Sequence, residues 1–340
     1  MRPLLLRTAL LILLATSSNA YAQAPAWTIQ SENDAYADWG DEDYTNGLRI
    51  SLDFSRAVLW GRLFPSLQDC STAPRVSSAP CRKTTLFVGQ NFYTPLDITV
   101  PEVQPTERPY SAWLYIGLAA RAVQPKRVRT VEIQLGTTGK NAFAKEIQTW
   151  WHLKGCRCAP KPLGWHNQVK PVPGGVGVIA SWDDRIARER RTQGPRPFVF
   201  ADVVPYYRVS LGNVFDHGAG GAVARIGYNL QRRWVDKIAP TLPAVVASLQ
   251  PNVVPRERNF EFNVIGALEG RAVAWNALLQ HDTYTPRPPL SINRGVVDFE
   301  AGIAVGYRRV FGGFRWIWRS PEFDGARWSP FAGLFVTFGP

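Results

Sequence analysis

"TVEIQLG", residues Thr130–Gly136, places Val131, Ile133 and Leu135 on one face of an extended chain and Glu132 and Gln134 on the other. A repeat of two is the period of a β-strand, so the segment reads as a strand with one apolar and one polar face. "LRISLDF" repeats the pattern, with Leu48, Ile50, Leu52 and Phe54 alternating with Arg49, Ser51 and Asp53. "AVARIGYNL" (Ala222–Leu230) and "FEFNVIG" (Phe260–Gly266) do the same, while long helical periodicity is scarce. A soluble sandwich also alternates, but three features favour a membrane barrel. The candidate strands run about 10–14 residues, the length a tilted spanning strand needs. Their polar faces carry Glu, Arg and Asn, which suits a wet lumen. Aromatic residues crowd strand ends at Trp113/Tyr115, Tyr206/Tyr207 and Trp316/Trp318, in the manner of interfacial girdles.

Extending this reading along the chain gives strands near 26–35, 45–57, 84–93, 110–123, 127–138, 174–188, 198–212, 217–230, 258–266, 268–280, 295–311 and 327–338. Twelve is an even number, as a closed antiparallel barrel requires. The expected fold is therefore all-β, a closed antiparallel transmembrane barrel of about twelve strands. With the N-terminus at the periplasmic end, the loops at 36–44, 94–109 and 139–173 share the outer rim. One segment breaks the alternation: "KNAFAKEIQTWWHLKG" (Lys140–Gly155) has helix formers and a glycine stop, which predicts a short helix in the third outer loop. Gln148 and His152 are four apart, so on that helix they share one face.

The chain has 340 residues and a formal charge of +12. Its first 22 residues have a basic start at Arg2 and Arg7, an apolar run from Ala9 to Ala15 and an A-x-A site at Ala20–Ala22. That is the pattern of a secretory signal peptide, so residues 23–340 are expected to form one exported barrel. No later run of about 18 apolar residues offers a membrane helix. The four cysteines, Cys70, Cys81, Cys156 and Cys158, point to disulfides in an exported protein. Cys70–Cys81 within one loop is one pairing. Cys156–Cys158 would close a tight ring, and two long-range bridges are the rival.

In this basic chain the stretch "ENDAYADWGDEDYTNGL" (Glu32–Leu48) gathers six acids in its first twelve residues: Glu32, Asp34, Asp38, Asp41, Glu42 and Asp43. Asp, Asn and Thr oxygens suit a hard cation, calcium above all, and a solvated acidic loop is the plain alternative. His152 is one of four histidines, with His166, His217 and His281. Its case as a general base rests on Gln148 one turn before it. No G-x-S-x-G elbow is present, which argues against a serine hydrolase.

Taken together, "ENDAYADWGDEDYTNGL", "GQNFYTPLD" (Gly89–Asp97), "RPYSAWLYIG" (Arg108–Gly117), "VEIQLGTTG" (Val131–Gly139), "QTWWH" (Gln148–His152), "GWHNQ" (Gly164–Gln168), "PYYRVSLGNVFDHGAGG" (Pro205–Gly221), "GRAVAWNALL" (Gly270–Leu279) and "RSPEFDG" (Arg319–Gly325) resemble, in order, the outer-membrane lipid A 3′-O-deacylase family. The resemblance implies a twelve-stranded barrel in the cell outer membrane. It also implies a calcium-dependent ester hydrolase whose site lies between the outer barrel wall and a loop helix, facing the outer leaflet. The family's Asn-Asp pair falls on Asn33 and Asp34, its threonine on Thr45, its histidine on His152, and Gln148 takes the Q-x-x-x-H position. The family's glutamate shortly after the histidine has no counterpart, since Leu153–Gly174 contains no acid; Glu146 precedes the histidine.

The expected substrate is lipid A of lipopolysaccharide, amid outer-membrane lipids. Lys140, Lys145 and Lys154 are candidate contacts to its phosphates, with Arg157 and Lys161 nearby. General solubility is the plain reading of each single lysine. Nucleic acid is not an expected partner, and a monomer is the expected state. Two other readings stand beside the deacylase: a barrel that kept the fold without the chemistry, and an outer-membrane phospholipase.

Overall fold

The computed structural model describes residues 25–38, 43–57, 63–72, 80–124, 126–155, 157, 159–186, 188–190, 200–228, 237 and 260–339. The signal peptide, Asp41, Glu42, Cys156 and Cys158 lie outside the described residues. Twelve long strands form the wall: β1 (Ala26–Asn33), β2 (Asp43–Phe54), β3 (Cys81–Thr94), β4 (Ser111–Gln124), β5 (Arg127–Thr138), β6 (Gly177–Ile186), β7 (Phe200–Gly212), β8 (Phe215–Tyr228), β9 (Phe260–Asn276), β10 (Gly295–Tyr307), β11 (Val310–Arg319) and β12 (Ser329–Phe338). Each pairs antiparallel with its sequence neighbours. β1 also pairs with β12, Trp27 opposite Phe338 and Asn33 opposite Ala332, so the sheet closes and the wall has no edge. Two short segments, Gln68–Asp69 and Arg188–Arg190, add to β3 and β7. Among the described residues three short α-helices follow the rim, beside three 3-10 turns: α1 (Ala35–Asp38), α2 (Ala144–Trp150), which continues as a π turn over Trp151–Gly155, and α3 (Ala277–Gln280).

Burial is inverted relative to a soluble protein. In β5, Glu132 and Gln134 are wholly buried, while Leu135 is 46% exposed. Along β9 the even positions from Phe260 to Leu268 look outward and Glu261, Asn263, Ile265 and Glu269 look inward. In hydrocarbon this is the stable arrangement, because ladder bonds satisfy the backbone and the apolar face meets lipid. The charged interior is satisfied by ion pairs: Arg49 with Glu132 at 3.4 Å, Arg121 with Asp53 at 3.2 Å, Arg208 with Asp183 at 3.1 Å and with Glu269 at 2.8 Å, and Arg225 with Asp202. Lys237 reaches Asp298 at 2.7 Å. Aromatic side chains from Tyr44, Tyr93, Trp113, Tyr115, Phe215 and Phe331 fill the lumen toward the loop rim, and Phe311 and Phe335 fill it toward the termini.

The strand count agrees with the sequence reading, but two divisions differ. Residues 258–266 and 268–280 are not two strands; β9 runs unbroken through Ala267, and its in–out phase is the same on both sides. Residues 295–311 are not one strand; a two-residue turn at Arg308–Arg309 separates β10 from β11. Arg308 takes a left-handed φ of 52° there, a role for which Asn or Gly is the usual signal, so the composition hid the hairpin. Trp113 and Tyr115 also differ from expectation. They stack inside the lumen, and Trp113 Nε1 donates to Gln134 Oε1 at 3.0 Å, so they are core and not girdle. Trp316 and Trp318 do lie on the lipid face. The Cys70–Cys81 disulfide is formed.

Candidate active site

Residues 34–42, 95–110, 139–176, 277–294 and 320–328 connect strands at the end of the barrel opposite the termini. The longest of them leaves β5 at Gly139, whose φ of +69° suits glycine; a Cβ there would stand 2.8 Å from the Pro171 nitrogen. The chain then folds down onto the outer wall. Ala142, Ala144 and Trp165 pack against Phe92 and Ala112, which sit on the lipid-facing side of β3 and β4. Gln90, also on that face, donates to the Ala142 carbonyl. Helix α2 therefore lies against the outside of the barrel, with Gln148 and His152 both buried on its wall-facing side. The shared face expected from their spacing is present, and it is the face turned to the barrel wall.

Each of the two side chains is fixed. Trp165 Nε1 donates to Gln148 Oε1 at 2.7 Å, and Trp165 is itself held between Tyr110 and Phe92. His152 Nδ1 lies 2.7 Å from the Pro160 carbonyl oxygen. A carbonyl can only accept, so Nδ1 carries the hydrogen and, in the neutral ring, Nε2 carries the lone pair. Glu146 is exposed on another flank of the helix, so it does not stand in for an acid beside the imidazole.

The second half of the site lies where β1, β2 and β3 reach the rim. Asn33 and Asn46 face each other across the β1–β2 ladder, Nδ2 of the first 3.4 Å from Oδ1 of the second. The Ala35 N–H donates to both Asn33 Oδ1 at 2.9 Å and Asp34 Oδ1 at 2.8 Å, which opens helix α1. A register shift between Asp43 and Asn46 inserts a bulge into β2, and Asp43 takes a φ of 60°. The bulge sends Tyr44 into the lumen against Phe331 and brings the Thr45 hydroxyl to 2.7 Å from that of Thr94 on β3. β3 thus joins the two halves, Thr94 to Thr45 at its end and Gln90 to the base of α2 four residues earlier.

Two acids of the opening stretch serve a different purpose from the one expected of them. Glu32 points into the lumen and pairs with Arg315 at 3.3 Å. Asp43 pairs with Arg108 at 3.5 Å, Arg108 with Glu322 at 3.3 Å, and the series continues through Arg319, Asp298 and Arg271 to Glu269. These carboxylates balance buried arginines. Burial pushes the Glu322 carboxyl up, but Arg319 and Arg108 outweigh it and hold the carboxyl below its ordinary value. Among the described residues no three His, Cys, Asp or Glu side chains converge as a metal cluster. The donors at the rim are instead one carboxylate, Asp34, with the carboxamide oxygens of Asn33 and Asn46 and the hydroxyl of Thr45. An oxygen-only set of this kind fits a hard cation such as calcium and does not fit a soft metal. Of the three lysines, Lys140 stands 4.0 Å over the Tyr284 ring, and Lys145 and Lys154 are exposed along the loop. Gln90, Thr94, Asn46, Trp165 and Arg108 were not singled out from sequence, although all lie within the quoted motifs.

A closed twelve-stranded sheet with an apolar exterior, a charged and filled interior and a loop helix laid on its lipid face defines an outer-membrane β-barrel. The comparisons agree. The chain matches the family model "Outer membrane protein LpxR" over residues 4–338 and belongs to that family, the lipid A 3′-O-deacylases whose motifs it carries. Its fold is similar to that of LpxR from Salmonella typhimurium, with a TM-score of 0.74 at 18% identity, covering 93% of this chain and 100% of that one. The β-domain of the Bordetella autotransporter Brka aligns with a TM-score of 0.46 at 10% identity, over 94% of this chain and 100% of that one. No curated protein matches the sequence.

Proposed function

We propose that this barrel hydrolyses the ester that carries the 3′-linked acyloxyacyl chain of lipid A, at the outer leaflet, with His152 as general base. The observation that carries the reading is the contact of His152: Nδ1 lies 2.7 Å from the Pro160 carbonyl oxygen, which makes Nε2 the basic nitrogen of the neutral ring. Nε2 takes a proton from water as the water oxygen bonds to the ester carbonyl carbon. The tetrahedral adduct then collapses, the bond to the sugar 3′ oxygen breaks, and the imidazolium returns its proton to that oxygen. The products are the free fatty acid and a 3′-hydroxyl. Gln148, braced by Trp165, orients the polar groups around the imidazole, and the Thr45 hydroxyl positions water or the ester. Asn33 and Asp34, with Asn46 and Thr45 beside them, would hold calcium, whose charge would stabilise the oxyanion when bound. Lys140, Lys145 and Lys154 would meet the lipid A phosphates.

Pro160 supplies orientation where the family pattern has a carboxylate, but a neutral carbonyl stabilises an imidazolium less than an anion does. That observation favours a second reading, a barrel that binds lipid without turning it over. Purified protein incubated with lipid A and calcium decides between them. Mass spectrometry should find loss of the 3′ acyloxyacyl chain; intact lipid A with folded, calcium-loaded protein would leave the non-enzymatic barrel. A phospholipase would release fatty acid from glycerophospholipid vesicles in the same assay.

A further inference from the structure

Helix α2 has a second face that the chemistry does not use. Phe143, Ile147, Trp150, Trp151 and Leu153 are between 43% and 57% exposed, within eleven residues of chain. Trp150 and Trp151 sit together, ring centroids 6.3 Å apart. Phe143 adopts a left-handed φ of 58°, and its side chain is more than half exposed. An apolar group of this size on a water-facing loop would be an aggregation site.

Its position gives it a natural solvent. The loop that carries the helix covers Gln90, Phe92, Ala112 and Leu114 on the outer wall through Ala142, Ala144 and Trp165. Two residues further along the same strands, Val88 and Ile116 are exposed, and Leu135 of β5 stands in register beside Ile116, forming one row of the lipid-facing band. At about 3.4 Å per residue, that row begins roughly 7 Å from the helix footprint. Around the apolar group the loop is basic. Lys145, Lys154, Arg157 and Lys161 are exposed, and Glu146 is the single acid between Lys140 and Val176. Apolar and indole side chains bordered by cations are the composition of a helix that lies in a lipid interface, with the cations among anionic headgroups.

We propose that α2 and its π turn are an interfacial anchor, seated through Phe143, Ile147, Trp150, Trp151 and Leu153 at the boundary between headgroups and acyl chains of an anionic lipid leaflet. The anchor rests on the lipid-facing place of the helix and stands whether or not the barrel is a hydrolase. It extends the lipid contact of the wall onto a rim loop.

The test uses the full chain in nanodiscs of phosphatidylglycerol, with the photoreactive p-benzoylphenylalanine placed at Trp150, at Asp324 or at Ile116 in separate proteins. Asp324 is an exposed acid in the connection between β11 and β12 and serves as the water-facing reference. Only heat-modifiable, folded material is irradiated, and lipid adducts are counted by intact mass. Ile116 on the wall is the positive reference. The expected result is a Trp150 adduct yield within about threefold of Ile116 and at least about tenfold above Asp324, since the anchor lies in lipid and the exposed rim lies in water. A Trp150 yield no greater than that of Asp324 overturns the proposal. So does a protein–protein adduct in place of lipid at Trp150, which would make the face a contact between two copies.

Discussion

His152 reaches the Pro160 carbonyl through Nδ1, and that contact makes Nε2 the basic nitrogen of the neutral ring. A general base is worth about 10²–10⁴-fold, so His152→Ala should lower turnover at least about 100-fold while the barrel still forms, because the loop lies outside the wall. His166 is the control: it is exposed in the same loop, and His166→Ala should leave turnover nearly unchanged. Release of the acyl chain, followed by mass, reads both. The oxygen donors give a second expectation at this scale. Chelation should abolish release, and calcium should restore it better than magnesium, since a flexible oxygen set suits the larger ion. Full activity in excess chelator would falsify the cation assignment. Gln148 and His152 were legible in the sequence because a spacing of four is a helical face whatever surrounds it. Glu32 and Asp43 were not. Their composition matched a cation loop, and only the arginines brought to them by distant strands, Arg315 and Arg108, reveal them as ion-pair partners.

At the scale of elements the rim is tied together by Arg108. It comes from the connection between β3 and β4 and holds Asp43 at the start of β2 and Glu322 in the connection between β11 and β12. Its guanidinium also lies 4.2 Å from the Tyr93 ring. Removing one partner of a buried pair costs about 3–5 kcal/mol, so Arg108→Met should lower the temperature of heat-modifiable unfolding clearly. Arg108→Met combined with Glu322→Gln should cost less than the two changes added, because each single change strands the other's charge. The sign of the pH dependence follows from Glu322. A carboxyl held below its ordinary value contributes its full stability above that value and loses it as pH falls through the lower, folded one. The unfolding temperature should therefore be flat from about pH 7 to about pH 5 and fall in more acid solution. Arg319→Lys should make that acid loss smaller, since it weakens the contact that depresses Glu322 and brings the folded value closer to the ordinary one. The strands themselves were legible from alternation. What the alternation could not supply was where a strand turns when the turn residues are Arg308 and Arg309, or that Trp113 faces inward, since an aromatic near a strand end fits a girdle and a lumen equally well.

For the whole molecule, closure and inverted burial were written in the period of two, and the outer face of "TVEIQLG" is the lipid face. The contents of the lumen were less legible, because polar inward residues serve a water channel and a packed interior alike. Here they pack. Arg49, Arg121, Arg185, Arg208 and Arg319 are among the largest fully buried side chains, together with Trp113 and Tyr115. A side chain that water cannot touch does not line an aqueous path. The barrel should accordingly be electrically silent: inserted into a planar bilayer it should give no unitary current steps, and cells that overproduce it should take up small hydrophilic dyes and antibiotics no faster than cells without it. Passage would require several interior ion pairs to separate at once, and each opened pair leaves charge behind in a poorly solvated place. A cell should therefore be able to load its outer membrane with this protein without making that membrane leak.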